Sequence, residues 1–140
     1  MQTSRDEFHE LSFYTLSHPD SAYFIHQHIV DAFQAQTADA NTKPIGLIFS
    51  LVGLYLYCEK NYSGRQVQLA HMQMAQNKKP WPKIELPADR GEITVSEVLK
   101  TPEGQMRDDM IREWCKCVWL TYHNSHASIA KLGSSELNVS

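Results

Sequence analysis

The chain has 140 residues, the length of one domain, and its 42% apolar and 21% charged residues are ordinary for a soluble globular protein and exclude a disordered chain. Thirteen basic and sixteen acidic residues give a net charge of −3, which argues against a dedicated nucleic-acid-binding protein because such proteins usually carry a basic patch. No apolar run reaches the roughly twenty residues of a transmembrane helix, so we predict no membrane span.

The cysteines and the amino-terminal residues predict a cytoplasmic protein. Residues 1–7 lack the basic segment and apolar stretch of a secretory signal. Three cysteines, Cys58, Cys115 and Cys117, are an odd number, which fits reduced thiols. Cys115 and Cys117 would lie about 200° apart on a helix, too far round to share a metal ion. We expect all three to be packing or surface thiols.

Two helices are predicted before residue 40. The first covers 5–17 and ends before His18-Pro19, because a proline disfavours the helical conformation of the residue that precedes it. Asp20 is a suitable N-cap for the second helix, which covers 21–37 and carries a stripe of apolar residues on one face.

The next helix, over 44–58, is apolar on almost every side. Thr42 caps it and Pro44 lies in its first turn, where a missing N–H costs nothing. Its length is too short to span a bilayer, and the pattern is typical of a buried central helix. Gly46, Ser50 and Gly53 lie near one face, which predicts the close approach of a neighbouring helix there.

The second half alternates helices with one proline-containing loop. Ser63 and Gln66 form a capping box that predicts a helix over 64–77. An irregular segment follows over 78–92, with Trp81 as an anchor.

Two further helices are predicted after the loop. A second capping box, Thr94 and Glu97, predicts a short helix over 95–100, and a long helix covers 103–122. The fold class is therefore all-α: a single-domain bundle of five or six helices around the central apolar helix. We expect the domain to cover 1–133 and a flexible tail to cover 134–140.

Histidine is frequent, with seven residues, and three positions are candidates for an interior site. His71 lies inside the apolar stripe of its helix. It is either a buried histidine that donates to a carbonyl or a carboxylate, or a metal ligand or general base. His26 lies at the border of its stripe, and His126 continues an edge row of the last long helix.

Three other polar residues bear on the same site. Asp31 lies on the polar side of its helix, three residues from His28, so the two could form a surface hydrogen bond. Asp31 joins an interior site only if a neighbouring segment covers that side. Gln36 lies within the apolar stripe and must be hydrogen-bonded there. Glu59, at the end of the apolar helix, pairs with Lys60 or Arg65, or else it points into the bundle.

Several short motifs resemble those of a bacterial family of unknown function. Residues 26–36 read H-x-x-x-V-D-x-F-x-x-Q, residues 91–99 read G-x-I-T-V-x-x-V-L, and residues 114–119 read W-x-x-x-V-W, with a final His-Ala-Ser at 126–128. The resemblance implies a single helical domain and singles out four positions, but it implies no activity. These positions are His26, Asp31, Gln36 and His126.

This chain departs from the family pattern at two places. Thr37-Ala38 stands where the family has His-Pro, and Ser50 stands where the family carries a histidine in its central helix. The second departure weakens the case for a metal site shared with the family.

The pattern leads to two functional hypotheses. In the first, a polar pocket of the bundle holds one divalent metal ion, zinc or iron, or a small-molecule ligand. Its metal ligands would be His26, His71, His126 and Asp31, and Gln36 and Glu59 would contact a bound ligand or cofactor. In the second, the protein is a non-enzymatic interaction module, a homo-oligomer with structural histidines, and its interface includes Trp119 and Tyr122. No known catalytic motif occurs, so enzyme activity is left open.

Overall fold

The computed structural model describes residues 3–17, 24–76 and 81–139, and its regular secondary structure there is entirely helical. The predicted all-α class is therefore confirmed. Seven α-helices occur in these ranges, and they are α1 (Ser4–Ser17), α2 (His26–Thr37), α3 (Pro44–Lys60), α4 (Gly64–Ala75), α5 (Val95–Lys100), α6 (Gln105–Thr121) and α7 (His126–Leu137). The predicted helix stop at His18-Pro19, the cap at Asp20 and the first residues of the 21–37 helix lie outside the described residues.

The helix count exceeds the predicted five or six because a further helix forms after α6. A short 3₁₀ turn, His123–Ser125, separates α6 from α7. Helix α7 extends beyond Gly133, and the Val139 N–H donates to the Gly133 carbonyl at 3.1 Å after the helix ends. Residues 134–137, which were assigned to the tail, are therefore helical.

Local sequence accounts for the start of α4 more fully than for the start of α5. Ser63 Oγ accepts from the Gln66 N–H at 3.1 Å, and Gln66 Oε1 accepts from the Ser63 N–H at 2.8 Å, so the first capping box is confirmed. The second is wrong in its detail. Thr94 donates its hydroxyl proton to the Glu97 carboxylate at 2.6 Å and makes no side-chain bond to the backbone of α5.

Helix α3 supplies much of the core, and ten of its seventeen residues are buried. It contacts α2, α4, α6 and α7, so its apolar side chains are covered in several directions. Helix α2 in turn contacts α3, α4 and α6. This arrangement places polar residues of α2 between α3 and α4. None of the helices in the described residues is long and apolar enough to cross a membrane.

Two aromatic residues expected at an oligomer interface lie in the core instead. Trp119 and Tyr122 are 3% and 2% exposed. The Tyr122 hydroxyl donates to the Ala35 carbonyl of α2 at 2.6 Å, so its polar end is satisfied inside the domain. The prediction that these residues form an interface is therefore wrong, because α2 and α3 pack against the carboxyl-terminal part of α6 and His126 stacks on Trp119.

Candidate functional site

Asp31, on α2, carries a buried carboxyl group. The residue is only 2% exposed, and its side chain lies against α3 and α4. The expectation that Asp31 faces solvent is wrong because α4 covers the side of α2 that its helical pattern marks as polar. The condition for Asp31 to join an interior site is therefore met.

Gly53 makes room for this carboxyl group on α3. A Cβ atom at Gly53 would overlap Asp31 Oδ2 and would lie 2.7 Å from Asp31 Cγ. The same atom would lie 3.2 Å from His71 Nε2 of α4. The carboxyl group and the imidazole therefore approach the same point of α3, and only a residue without a side chain fits there.

The two carboxyl oxygens of Asp31 have different surroundings. Oδ1 accepts from Gln27 Nε2 at 3.2 Å, one turn earlier on α2. Oδ2 is buried and has no hydrogen-bond partner among the described residues. Burial raises the pKa of this carboxyl well above its ordinary 3.8, and the Gln27 hydrogen bond opposes that shift. A buried polar atom without a partner is costly, which makes Oδ2 the feature of the site that most needs explanation.

His71 is half-buried beside Asp31. Its Nε2 lies 2.7 Å from the Phe49 carbonyl oxygen, and because a carbonyl only accepts, Nε2 carries the proton. This leaves Nδ1 as an acceptor in the neutral ring. Burial lowers the pKa of His71, and the hydrogen bond to Phe49 opposes that effect. The structure thus shows the first of the two roles considered for His71, donation to a carbonyl.

A cleft of about 350 Å³ opens at Asp31 and His71 between α2, α3 and α4. Gln34 and Ser50 line it as well, and the Ser50 hydroxyl donates to Gln34 Oε1 at 2.7 Å. Gly46 lies at the same cleft, where an added Cβ would meet nothing within 4 Å. The remaining lining comprises the apolar residues Val30, Ile45, Phe49 and Ala75 and the polar residue Gln27.

His26 and His126 are not among the residues that line this cleft. His26 Nδ1 is 3.0 Å from Thr15 Oγ1 of α1, and burial lowers the pKa of the ring. His126 donates from Nε2 to the Trp119 carbonyl at 2.7 Å and stacks on the Trp119 ring with centroids 3.8 Å apart. Each ring thus contacts a helix that neighbours it in sequence. Within the described ranges, no group of three or more His, Cys, Asp and Glu side chains is placed to hold a metal ion.

Gln36 is hydrogen-bonded in the interior, but its partners are an indole and two loop carbonyls. Its Nε2 donates to the carbonyls of Arg90 and Ile93 at 2.9 and 2.7 Å, and its Oε1 accepts from Trp114 Nε1 at 2.9 Å. Both Nε2 protons and one acceptor position of Oε1 are used by these groups. In this structure Gln36 holds the irregular segment 81–94 against α2 and α6.

Glu59 accepts a hydrogen bond from the Trp119 indole nitrogen, and its side chain is exposed. This bond connects α3 to α6 at the surface of the domain. The carboxylate therefore lies away from the cleft at Asp31.

His28 has a role that the sequence pattern did not indicate. It is buried, and its ring stacks on Tyr57 with centroids 3.5 Å apart. The Arg112 guanidinium lies 4.7 Å from the centroid of the same Tyr57 ring. Burial, with a smaller effect of the Arg112 charge, lowers the pKa of His28 to about 3. The predicted surface hydrogen bond between His28 and Asp31 is wrong, since both residues are buried and Asp31 accepts from Gln27 instead.

Sequence reasoning missed Gln34, Phe49 and Gln27 as parts of the site. A usable signal was present in the stripe of small residues Gly46, Ser50 and Gly53 on α3. The stripe predicts the close approach of a neighbouring helix, and α2 and α4 both contact α3. In the structure Gly46 and Ser50 line the cleft, and Gly53 accommodates the Asp31 carboxyl group beside it.

Comparison with known proteins gives one family and no characterised relative. No curated protein and no solved structure matches the chain. A family model described as a family of unknown function, DUF5946, matches residues 3–123, which include every residue that lines the cleft. The chain therefore belongs to the DUF5946 family of unknown function.

Proposed function

We propose that this protein binds a small organic ligand in the cleft between α2, α3 and α4, with Asp31 as the anchoring group. The observation that carries the proposal is Asp31 Oδ2, a buried carboxyl oxygen without a hydrogen-bond partner in the described residues, at a residue that lines the cleft. In native proteins such atoms are explained by a bound water or ion, by strain, or by a catalytic or binding role, and the position of Asp31 at a cleft supports the last.

The dimensions and the lining of the cleft fit this role. Its volume of about 350 Å³ falls at the lower end of the range typical of small-molecule sites, roughly 300–1,000 Å³. Apolar walls from Phe49, Ile45 and Val30 surround a few polar groups, which is the usual composition of such sites. The Gly53 backbone keeps the carboxyl group in place, so the anchor is held before a ligand arrives.

A divalent metal ion has less support as the occupant. The cleft offers one carboxylate and one imidazole, whereas zinc and iron sites use three or more protein ligands. The Nε2 atom of His71 is also engaged with the Phe49 carbonyl. His26 and His126, the other two histidines of the predicted set, contact Thr15 and Trp119 instead. These observations favour an organic ligand over a metal ion.

Protein-observed NMR tests the proposal with defined probes. Four molecules with four-carbon chains, n-butylamine, 1-butanol, butanamide and butyrate, are titrated separately into ¹⁵N-labelled protein at constant pH and ionic strength. We expect at least one to shift the amide signals of residues around the cleft, including Gly46 and Ser50.

Two variants with the same added side chain provide the control. Gly46→Leu places apolar bulk in the open space of the cleft, and Ala127→Leu places it on the exposed surface of α7. We expect the shifts to disappear in Gly46→Leu and to persist in Ala127→Leu. The proposal is contradicted if none of the four probes shifts cleft signals, or if the shifts persist unchanged in Gly46→Leu.

A further inference from the structure

We infer that the anchoring group of the ligand is a cationic amine, an alkylammonium whose N–H groups donate to Asp31 Oδ2. This inference rests on the proposed function of the cleft and specifies the chemical class of its ligand. The juxtaposition that carries it is a buried acidic oxygen, an acceptor atom on a neighbouring side chain, and an aromatic and aliphatic wall.

The charge of the lining selects against anions and in favour of a cation. The described residues that line the cleft include one acidic side chain, Asp31, and no lysine or arginine. His71 is the other titratable group of the lining, and burial favours its neutral form. An ionised Asp31 therefore lacks a counter-charge in the cleft, and a bound cation would supply both the missing charge and the missing donor.

The hydrogen bond already made to Asp31 leaves a further acceptor for an ammonium group. Gln27 donates an Nε2 proton to Asp31 Oδ1, which leaves Gln27 Oε1 as an acceptor. Both side chains line the cleft. An ammonium has three donors and no acceptor, so it matches a group of acceptors better than an alcohol or an amide does.

The apolar part of the cleft explains why the cation should carry an alkyl chain. Phe49 lines the cleft, and an aromatic ring attracts a nearby ammonium through its electron-rich face. Val30, Ile45 and Ala75 add aliphatic surface suited to a short hydrocarbon chain. An inorganic cation would leave this surface unused.

Binding of an ammonium should also release a proton. Burial favours the protonated form of Asp31, and a bound cation favours the carboxylate, so the Oδ2 proton passes to solvent as the ammonium binds. On other helices, His71 of α4 approaches the same point of Gly53 as this carboxyl, and Cys115 of α6 is close enough to be affected by its charge. Burial holds both neutral, so neither supplies or takes up the proton. At pH values below the pKa of Asp31, affinity for the amine should therefore rise with pH.

The test compares n-butylamine with 1-butanol, which has the same number of heavy atoms and no charge. Dissociation constants are measured by NMR titration for the wild type, Asp31→Asn and Asp109→Asn, the last removing an exposed carboxylate on α6. We expect the amine to bind the wild type about tenfold more tightly than the alcohol, the scale of a hydrogen bond to a charged group. The preference should vanish in Asp31→Asn and persist in Asp109→Asn.

Calorimetry gives a second readout that a purely structural role of Asp31 would not produce. Butylamine titrations at one pH, in two buffers of different ionisation enthalpy, should report net proton release in the wild type and none in Asp31→Asn. The inference that the ligand is an amine is overturned if 1-butanol or butanamide binds the cleft as tightly as n-butylamine. The proposed ligand site then still stands.

The inference is also overturned if the amine preference survives in Asp31→Asn. If no probe reaches the cleft, the proposed function itself fails. Should Asp31→Asn not fold, the wild-type comparison of amine and alcohol decides the matter.

Discussion

At the scale of single residues, the buried carboxyl group of Asp31 lowers the stability of the free protein and offers an acceptor to a ligand. A carboxyl group that is 2% exposed with one oxygen lacking a partner destabilises the free protein when it ionises. Asparagine would be a less costly residue at this position, since it has nearly the same shape and no charge. Retention of the acid is therefore understandable if the group acts on a ligand, and this view leads to a measurable consequence for stability.

Replacement of Asp31 by asparagine should stabilise the protein at neutral pH. The folded-state pKa of Asp31 is raised, so the folded protein binds more protons than the unfolded chain between pH 3.8 and that raised pKa. The contribution of this group to the free energy of unfolding is complete below about pH 3.8 and is lost as pH rises through the folded-state pKa. Urea unfolding of wild type and Asp31→Asn should thus show a difference that grows with pH, to about 1–3 kcal/mol. A constant or shrinking difference would count against the buried carboxyl, and Asp109→Asn serves as the exposed control.

The lowered pKa of His28 should have the opposite effect, because it makes the free energy of unfolding fall at acid pH. Its pKa of about 3 in the folded protein lies below the ordinary 6.5, so only the unfolded chain takes up a proton between these values. The contribution of His28 to the free energy of unfolding is therefore complete above pH 6.5. It falls as pH drops towards 3, by at most about 1.4 kcal/mol per pH unit.

The check is urea unfolding of His28→Gln across the acid range, with the exposed His9→Gln as control. His28→Gln should be less stable at neutral pH because it loses the ring stacked on Tyr57, but its stability should decline less steeply with acid. An unchanged acid slope would show that His28 is not the group responsible.

At the scale of elements, α3 carries two glycines with contrasting surroundings. Gly53 lies against the Asp31 carboxyl, whereas a Cβ atom at Gly46 would face open space. Helix propensity alone favours alanine over glycine at both positions, by about 0.5–1 kcal/mol. The same substitution on the same helix should therefore have opposite signs.

Gly46→Ala should stabilise the protein by about 0.5–1 kcal/mol, the propensity gain alone. Gly53→Ala should destabilise it by about 1–3 kcal/mol, because the added methyl group overlaps a buried side chain that cannot move freely. Equilibrium unfolding of both variants checks the pair. In the double variant Asp31→Ala/Gly53→Ala, most of the cost of Gly53→Ala should disappear. Two stabilising alanines would mean that the carboxyl group does not lie against α3.

One side chain of α2 hydrogen-bonds to the irregular segment 81–94. Gln36 bonds to two of its carbonyls and to the Trp114 indole, so Gln36→Leu would leave these buried groups without partners. We expect a loss of about 2–4 kcal/mol, from roughly 1 kcal/mol or more for each group. Hydrogen exchange should quicken in the segment while α3 keeps its protection. Uniform loss of protection across all helices would contradict a local role.

At the scale of the whole molecule, sequence periodicity located helices well and their mutual contacts poorly. The α4 capping box and the apolar α3 stretch are local features, so they could be identified from neighbouring residues alone. The periodicity of apolar residues shows which side of one helix is more apolar, but it does not show which sides a second helix covers. Asp31 was misplaced for this reason, since α4 covers a side of α2 that its own pattern marks as polar.

The same limit explains the histidines. Spacing identifies rings that face inward, but His26, His71 and His126 lie on α2, α4 and α7 and bond to different neighbours. Whether three such rings meet depends on packing order, which no local pattern contains. Trp119 and Tyr122 were misassigned to an interface because aromatic residues suit cores and interfaces equally well.

The most direct test of the account is the carboxyl carbon of Asp31, followed by ¹³C NMR across a pH titration with and without n-butylamine, with the signal assigned by its loss in Asp31→Asn. The account predicts that the titration midpoint of Asp31 in the free protein lies well above the ordinary aspartate value of 3.8. It also predicts that saturating n-butylamine lowers this midpoint. A midpoint near 3.8 would contradict the buried anchor, and a raised midpoint that the amine leaves unchanged would contradict its contact with the ligand.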